Sequence, residues 1–161
     1  MEISEIMAAF AAKLGLEGLS PDGDGVYHLG IDGMEVHLME VAESASLVTW
    51  GSVGETPPEY CDRLLYRTML EAMFMGSATG GSSFSIDRES GEICLQRLDP
   101  LSTLDSDAFW KMLERFVNIL AEWREIVSKY GEAASDRARE ERDGQDETRR
   151  IGLGQAEGIL V

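Results

Sequence analysis

The chain has 161 residues, 30 acidic and 14 basic side chains, a formal net charge of −16 and 43% apolar residues. That length suits one domain with room for a tail, and a chain of this size buries roughly two-thirds of its surface on folding. The apolar content excludes wholesale disorder, and the strong negative field argues against nucleic acid or anionic membranes as partners. Cys61 and Cys94 are too few for a disulfide framework and read as reduced, buried thiols. The acidic start, with Glu2 and Glu5, is unlike a signal peptide, and no apolar run reaches the roughly 20 residues of a membrane span. The expectation is a soluble, cytoplasmic protein with no membrane insertion.

The first predicted element is a helix over residues 2–14. Ile3, Met7, Phe10 and Leu14 fall at helical spacing with Ile6 beside them, and Gly15 is a stop signal. Residues 15–25 read as a loop. Residues 25–41 read as a hairpin turning at Asp32-Gly33, a dipeptide suited to two positive φ angles. The turn predicts Ile31 opposite Met34, Leu29 opposite Val36 and His28 opposite His37. A third strand, about 45–53, follows a turn at Glu43-Ser44 and places Val48 beside Met39 and Trp50 beside His37. Both faces of this meander then carry apolar groups, unlike a sheet with one fully solvated face.

Residues 56–75 read as a second helix, opened by Thr56-Pro57-Pro58-Glu59 as a capping box. Leu64, Leu65, Met69, Leu70, Met73, Phe74 and Met75 make it apolar over a wide arc, so it wants cover on more than one side. Two short strands follow, 82–87 and 92–98, with Asp99-Pro100 as a stop. A third helix from Asp105 or Ser106 to Tyr130 carries the stripe Phe109, Leu113, Phe116, Leu120, Trp123, Val127 and Tyr130, with Gly131 as its terminator. Residues 132–150 hold seven acids and five bases and no large apolar side chain, which reads as a solvated, mobile tail. The domain assignment is therefore 1–131 for the folded body and 132–161 for the tail.

Catalytic signals are weak. His28 and His37, with Glu35 near, face each other closely enough to share an ion, but a metal centre normally takes three or four protein ligands. The pair reads as a polar cross-strand contact, and no cofactor is expected. Cys61 lies in the first turns of helix two with no base placed to activate it. The methionines say more. Met39, Met73 and Met75 are as well suited to an adaptable interface as to a core.

Three features carry a resemblance to a known family. They are the opening FAAKLGLEGLSPDGDGVYHLGIDG, the element order α-β-β-β-α-β-β-α, and LQRLDPLSTLDSDAFWKMLERFVNILAEWREIV with its proline turn and long helix. In these the chain resembles the class I type III secretion chaperones, the Tir-chaperone family, over about residues 1–130. The resemblance implies an α+β fold with a twisted antiparallel sheet, a homodimer without enzymatic activity, and a bacterial cytoplasmic location. It implies that the chain binds the N-terminal region of a secreted effector in extended form and hands it to the secretion machinery, with its ATPase a further partner. Carried over to this sequence, the dimer interface would use Leu64, Leu65, Met69, Met73, Phe74, Phe84 and Ile86. The effector would use Ile6, Met7, Phe10, Val26, Met39, Val48 and Trp50. Two other readings stand beside it: a regulatory scaffold of the same fold that binds a folded partner, and a small metal- or thiol-dependent enzyme using His28, His37 or Cys61.

Overall fold

The structure is a computed structural model describing residues 2–56 and 59–156, with side chains described as far as residue 139 except 59–62, 134, 137 and 138. Its element order is α1 (Ile3–Leu14), β1 (Val26–Ile31), β2 (Met34–Val41), β3 (Ser46–Glu55), α2 (Glu59–Met73), β4 (Ser83–Ile86), β5 (Glu92–Pro100) and α3 (Ser106–Ala156). The fold class is α+β, as the sequence implied.

The five strands form one antiparallel sheet in the order β1-β2-β3-β5-β4. Asp32 and Gly33 both take positive φ, +50° and +75°, so the hairpin closes as the Asp-Gly dipeptide dictates. Register follows from that turn: Ile31 faces Met34, Leu29 faces Val36 and His28 faces His37. On the next strand, Met39 faces Val48 and His37 faces Trp50. Alternation then sorts the side chains. Tyr27, Leu29, Met34, Val36, Leu38, Leu47, Val53, Ile93 and Leu95 are buried on the inner face.

α3 lies over the central strand β3 on that inner face. Its stripe of Phe109, Leu113, Phe116, Leu120, Trp123 and Val127 is buried there. Gly51 of β3 makes the close approach of Leu120 workable. A Cβ at Gly51 would stand 2.7 Å from Leu120 Cδ2 and 3.1 Å from the Glu35 carbonyl oxygen. Gly51→Val is expected to lower unfolding stability by about 1–3 kcal/mol through overpacking, read from a denaturant midpoint.

α1 begins with reciprocal capping between Glu2 and Glu5, in which the Glu2 amide donates to Glu5 Oε2 at 3.1 Å. It ends at Gly15 in the left-handed conformation. Its buried stripe, Ile3, Ile6, Met7 and Phe10, packs beneath the start of α3. The Phe10 ring meets Phe109 edge-on and lies against Trp110, both with centroids 5.5 Å apart. Lys13 Nζ sits 4.5 Å from the Trp110 ring centroid.

Several boundaries differ from the sequence reading; β3 runs on to Glu55. β5 continues through Asp99 to Pro100, because Pro100 occupies the terminal pair with Ser46, where a missing N–H costs least. α2 ends at Met73 and is followed by a single 3-10 turn over Phe74–Gly76. α3 does not stop at Gly131 but runs helically through it to Ala156. Gly131 is absent from the positive-φ glycines, and Glu132, Ala133 and the many later Glu, Arg and Ala residues are good helix formers that offset its cost of about 1 kcal/mol. The capping box at 56–59 lies partly outside the described residues.

Candidate functional site

The outer face of the sheet is half-exposed and unusually apolar. Register builds one row across four strands: Val26 on β1 pairs with Met39 on β2, Met39 with Val48 on β3, and Val48 with Leu98 on β5. The first three are half-buried, and Leu98 is 58% exposed. A second row runs beside it through His28, His37, Trp50 and Gln96. His37 stacks on Trp50 with ring centroids 5.1 Å apart.

The residues expected to meet an effector therefore divide between two sides of the sheet. Val26, Met39, Val48 and Trp50 lie together on the outer face. Ile6, Met7 and Phe10 are buried with α1 in the core on the inner side, so their side chains are covered while α1 stays docked. Leu98 joins the outer row although nothing local in the sequence marks it. Its neighbour Val48 is known only once β3 pairs with β5.

A second apolar surface lies where α2 approaches β4. Leu70, Phe74 and Ile86 are 64%, 74% and 49% exposed there, and Met75 in the turn after α2 is 88% exposed. Met69, Leu70, Met73, Phe84, Ile86 and Ile93 line a groove between the two elements. Of the residues expected at a dimer interface, Phe74 and Ile86 are exposed here and Met73 and Phe84 half-buried, whereas Leu64 is exposed on the opposite side of α2. Leu65 is buried in the core, and Met69 is buried at the floor of the groove. Exposed Leu70 and Ile86 flanking one groove, with Phe74 next along the chain, form a patch rather than scattered surface residues.

The glycine-rich connection behind this surface is packed rather than loose. Trp123 Nε1–H donates to the Ala78 carbonyl at 3.1 Å, and its ring meets Phe84 edge-on at 4.7 Å. Trp123→Phe leaves the Ala78 carbonyl without this donor and is expected to cost about 1–2 kcal/mol, read as a lowered thermal midpoint.

Polar groups cluster at one end of the outer face. Asp22 Oδ1 accepts the Asp24 and Val26 amides, each at 2.9 Å, and Asp22 Oδ2 lies 2.8 Å from His28 Nε2. The His28 bond, with the Val26 amide next, holds the Asp22 carboxyl down at about 2. His28 Nδ1 is 3.0 Å from His37 Nδ1 and 3.7 Å from Glu35 Oε1. Partial burial pushes the His37 imidazole below its ordinary value, with Glu35 opposing. The Cys94 thiol is pushed up by burial, with Glu92 and Asp87 adding to the shift, the opposite of an activated nucleophile. The Cys61 side chain lies outside the described residues.

Two apolar surfaces on a small α+β body offer contact area beyond what scattered surface residues require. The model of the Tir chaperone protein (CesT) family matches residues 5–124. The chain belongs to that family, the class I type III secretion chaperones. Solved structures share the fold. A chain in the crystal structure of the ExsC–ExsE complex is 22% identical with a TM-score of 0.63, the match covering 76% of this chain and 91% of that one. A chain in the HopA1–SchA chaperone–effector complex is 18% identical with a TM-score of 0.60, covering 78% and 98%. A chain in the complex of the Yersinia pestis type III secretion chaperone SycH with a stable fragment of YscM2 is 20% identical with a TM-score of 0.59, covering 76% and 99%. A comparison with curated protein sequences finds no match. The CesT family is a family of chaperones, not of enzymes, and among the described residues no helix is long and apolar enough to cross a membrane.

Proposed function

We propose that this CesT-family chain is a homodimeric chaperone that holds the N-terminal region of a secreted effector in extended form, keeping it soluble and competent for export from the bacterial cytoplasm. The observation that carries the reading is the apolar row Val26–Met39–Val48–Leu98 on the uncovered face of the sheet. An extended segment can lay alternate side chains along such a row, and the edge strand β1 offers backbone groups for pairing. Neither contact requires the effector segment to fold, which suits a cargo that must later thread through a secretion machine and meet its ATPase. The α2–β4 surface is the dimer face in this reading, where a second copy covers Leu70, Phe74 and Ile86 about a two-fold axis. A dimer doubles the charge of −16 per chain, which keeps a loaded complex soluble. No step of this function makes or breaks a bond.

The outer-face assignment is tested by Met39→Glu with Leu98→Glu. Both side chains point away from the core, so the thermal midpoint should move by only a few degrees. Affinity for a co-purifying effector fragment should fall at least tenfold, about 1.4 kcal/mol or more. Unchanged affinity in a folded double variant would remove the outer face as the cargo surface.

A further inference from the structure

We propose that His28, His37 and Glu35 form a binding site for a borderline divalent transition-metal ion such as Zn²⁺, with Asp22 holding His28 in the ligating tautomer. Each of the three residues offers one donor atom, and these atoms lie within 4.8 Å of one another. The grouping follows from the hairpin. His28 and His37 are directly paired across β1 and β2, and Glu35 stands two residues before His37 on the same face. Tetrahedral zinc bonds to nitrogen of about 2.0–2.1 Å put neighbouring donors about 3.3 Å apart. The two Nδ1 atoms lie 3.0 Å apart and Glu35 Oε1 is 3.7 Å from His28 Nδ1, so seating the ion takes a small turn of both rings and a swing of the exposed Glu35 side chain, whose donor lies within 4.8 Å of that of His37.

Asp22 makes the site more than a chance meeting of side chains. It accepts from His28 Nε2–H at 2.8 Å, which leaves the lone pair on Nδ1, the atom facing His37 and Glu35. A carboxylate that orients a ligating imidazole through its far nitrogen is the usual support of a metal-bound histidine. Asp22 is itself fixed by the Asp24 and Val26 amides, so the orientation is built into the loop before β1. The His37 ring is held on its other side by the stack with Trp50. Without metal, His37 Nδ1–H donates to His28 Nδ1. The ion replaces that proton, which moves to His37 Nε2. Two imidazoles and one carboxylate leave a fourth position for water. The ion then ties β1 to β2 at the end of the outer face that carries Trp50.

The test uses the full chain, with Zn²⁺ titrated in competition with a chromophoric chelator, and Co²⁺ as a spectroscopic probe. The expected result is one tight equivalent of Zn²⁺ per chain, visible d–d absorption with Co²⁺, and a change in tryptophan fluorescence that is lost in Trp50→Phe. Affinity should fall more than 100-fold in His28→Ala with His37→Ala, and about tenfold in Asp22→Asn. The chain's other carboxylates remain in both variants. Zn²⁺ binding that is unchanged in the double histidine variant, or that never saturates at one equivalent in the unaltered protein, overturns the proposal. If a variant misfolds, the unaltered chain still tests the site: a thiolate-to-Co²⁺ charge-transfer band, or Co²⁺ binding that leaves the Trp50 fluorescence unchanged, overturns the proposal.

Discussion

Leu70→Glu combined with Phe74→Glu is expected to turn a protein of about twice the 17.7 kDa chain mass into a folded monomer. In a single copy these side chains are 64% and 74% exposed, so glutamate there costs the monomer little. In a two-fold pairing each introduced carboxylate meets the partner's copy of the same surface. Four carboxylates would then be desolvated near one another, at a cost of several kcal/mol, and the dimer dissociation constant should rise at least 1,000-fold. Light scattering reads the mass, and circular dichroism confirms the fold. Leu65→Glu is the contrasting case. Leu65 is buried in its own chain, so a carboxylate there disrupts the fold itself. A monomeric mass for the unaltered protein would remove the α2–β4 surface as a dimer face.

Phe10→Asp is expected to act on stability rather than on partner binding alone. The ring is 7% exposed, wedged between Phe109 and Trp110. Losing a buried phenyl costs about 3–5 kcal/mol, and the buried carboxylate adds to that. Against a typical stability of about 5–15 kcal/mol, the thermal midpoint should drop by about 10 °C or more. A Phe10→Asp protein that melts like the parent but fails to hold effector would instead place Phe10 at a partner surface, which would require α1 to lift from α3.

Those two variants mark where sequence reasoning reached and where it stopped. The β1–β2–β3 meander was legible because Asp32-Gly33 pins the β1–β2 register and the tight turn at Glu43-Ser44 the β2–β3 one, and one pinned pair fixes every other pair along both strands. The α3 stripe was legible because seven apolar residues at helical spacing have few other arrangements. The burial of α1 was not, since an amphipathic helix shows that it covers something without showing what. Leu98 escaped for a related reason. The β3–β5 pairing joins strands separated by α2 and β4, and no turn between them records it. Gly131 looked like a stop because the local signal for a C-terminus was present, whereas the helix-forming residues after it outweighed that signal. Asp22 could not be read from the sequence as a partner of His28, because only the folded loop brings the two together.

The most direct measurement of the central claim is hydrogen exchange and limited proteolysis of the chaperone bound to its secreted effector. The account predicts one protected effector segment, from the N-terminal region and without tertiary structure of its own. It also predicts slowed exchange in the chaperone at Met39, Val48, Trp50 and Leu98. Protection of a folded effector domain, or slowed exchange confined to surfaces other than the outer face, would contradict it.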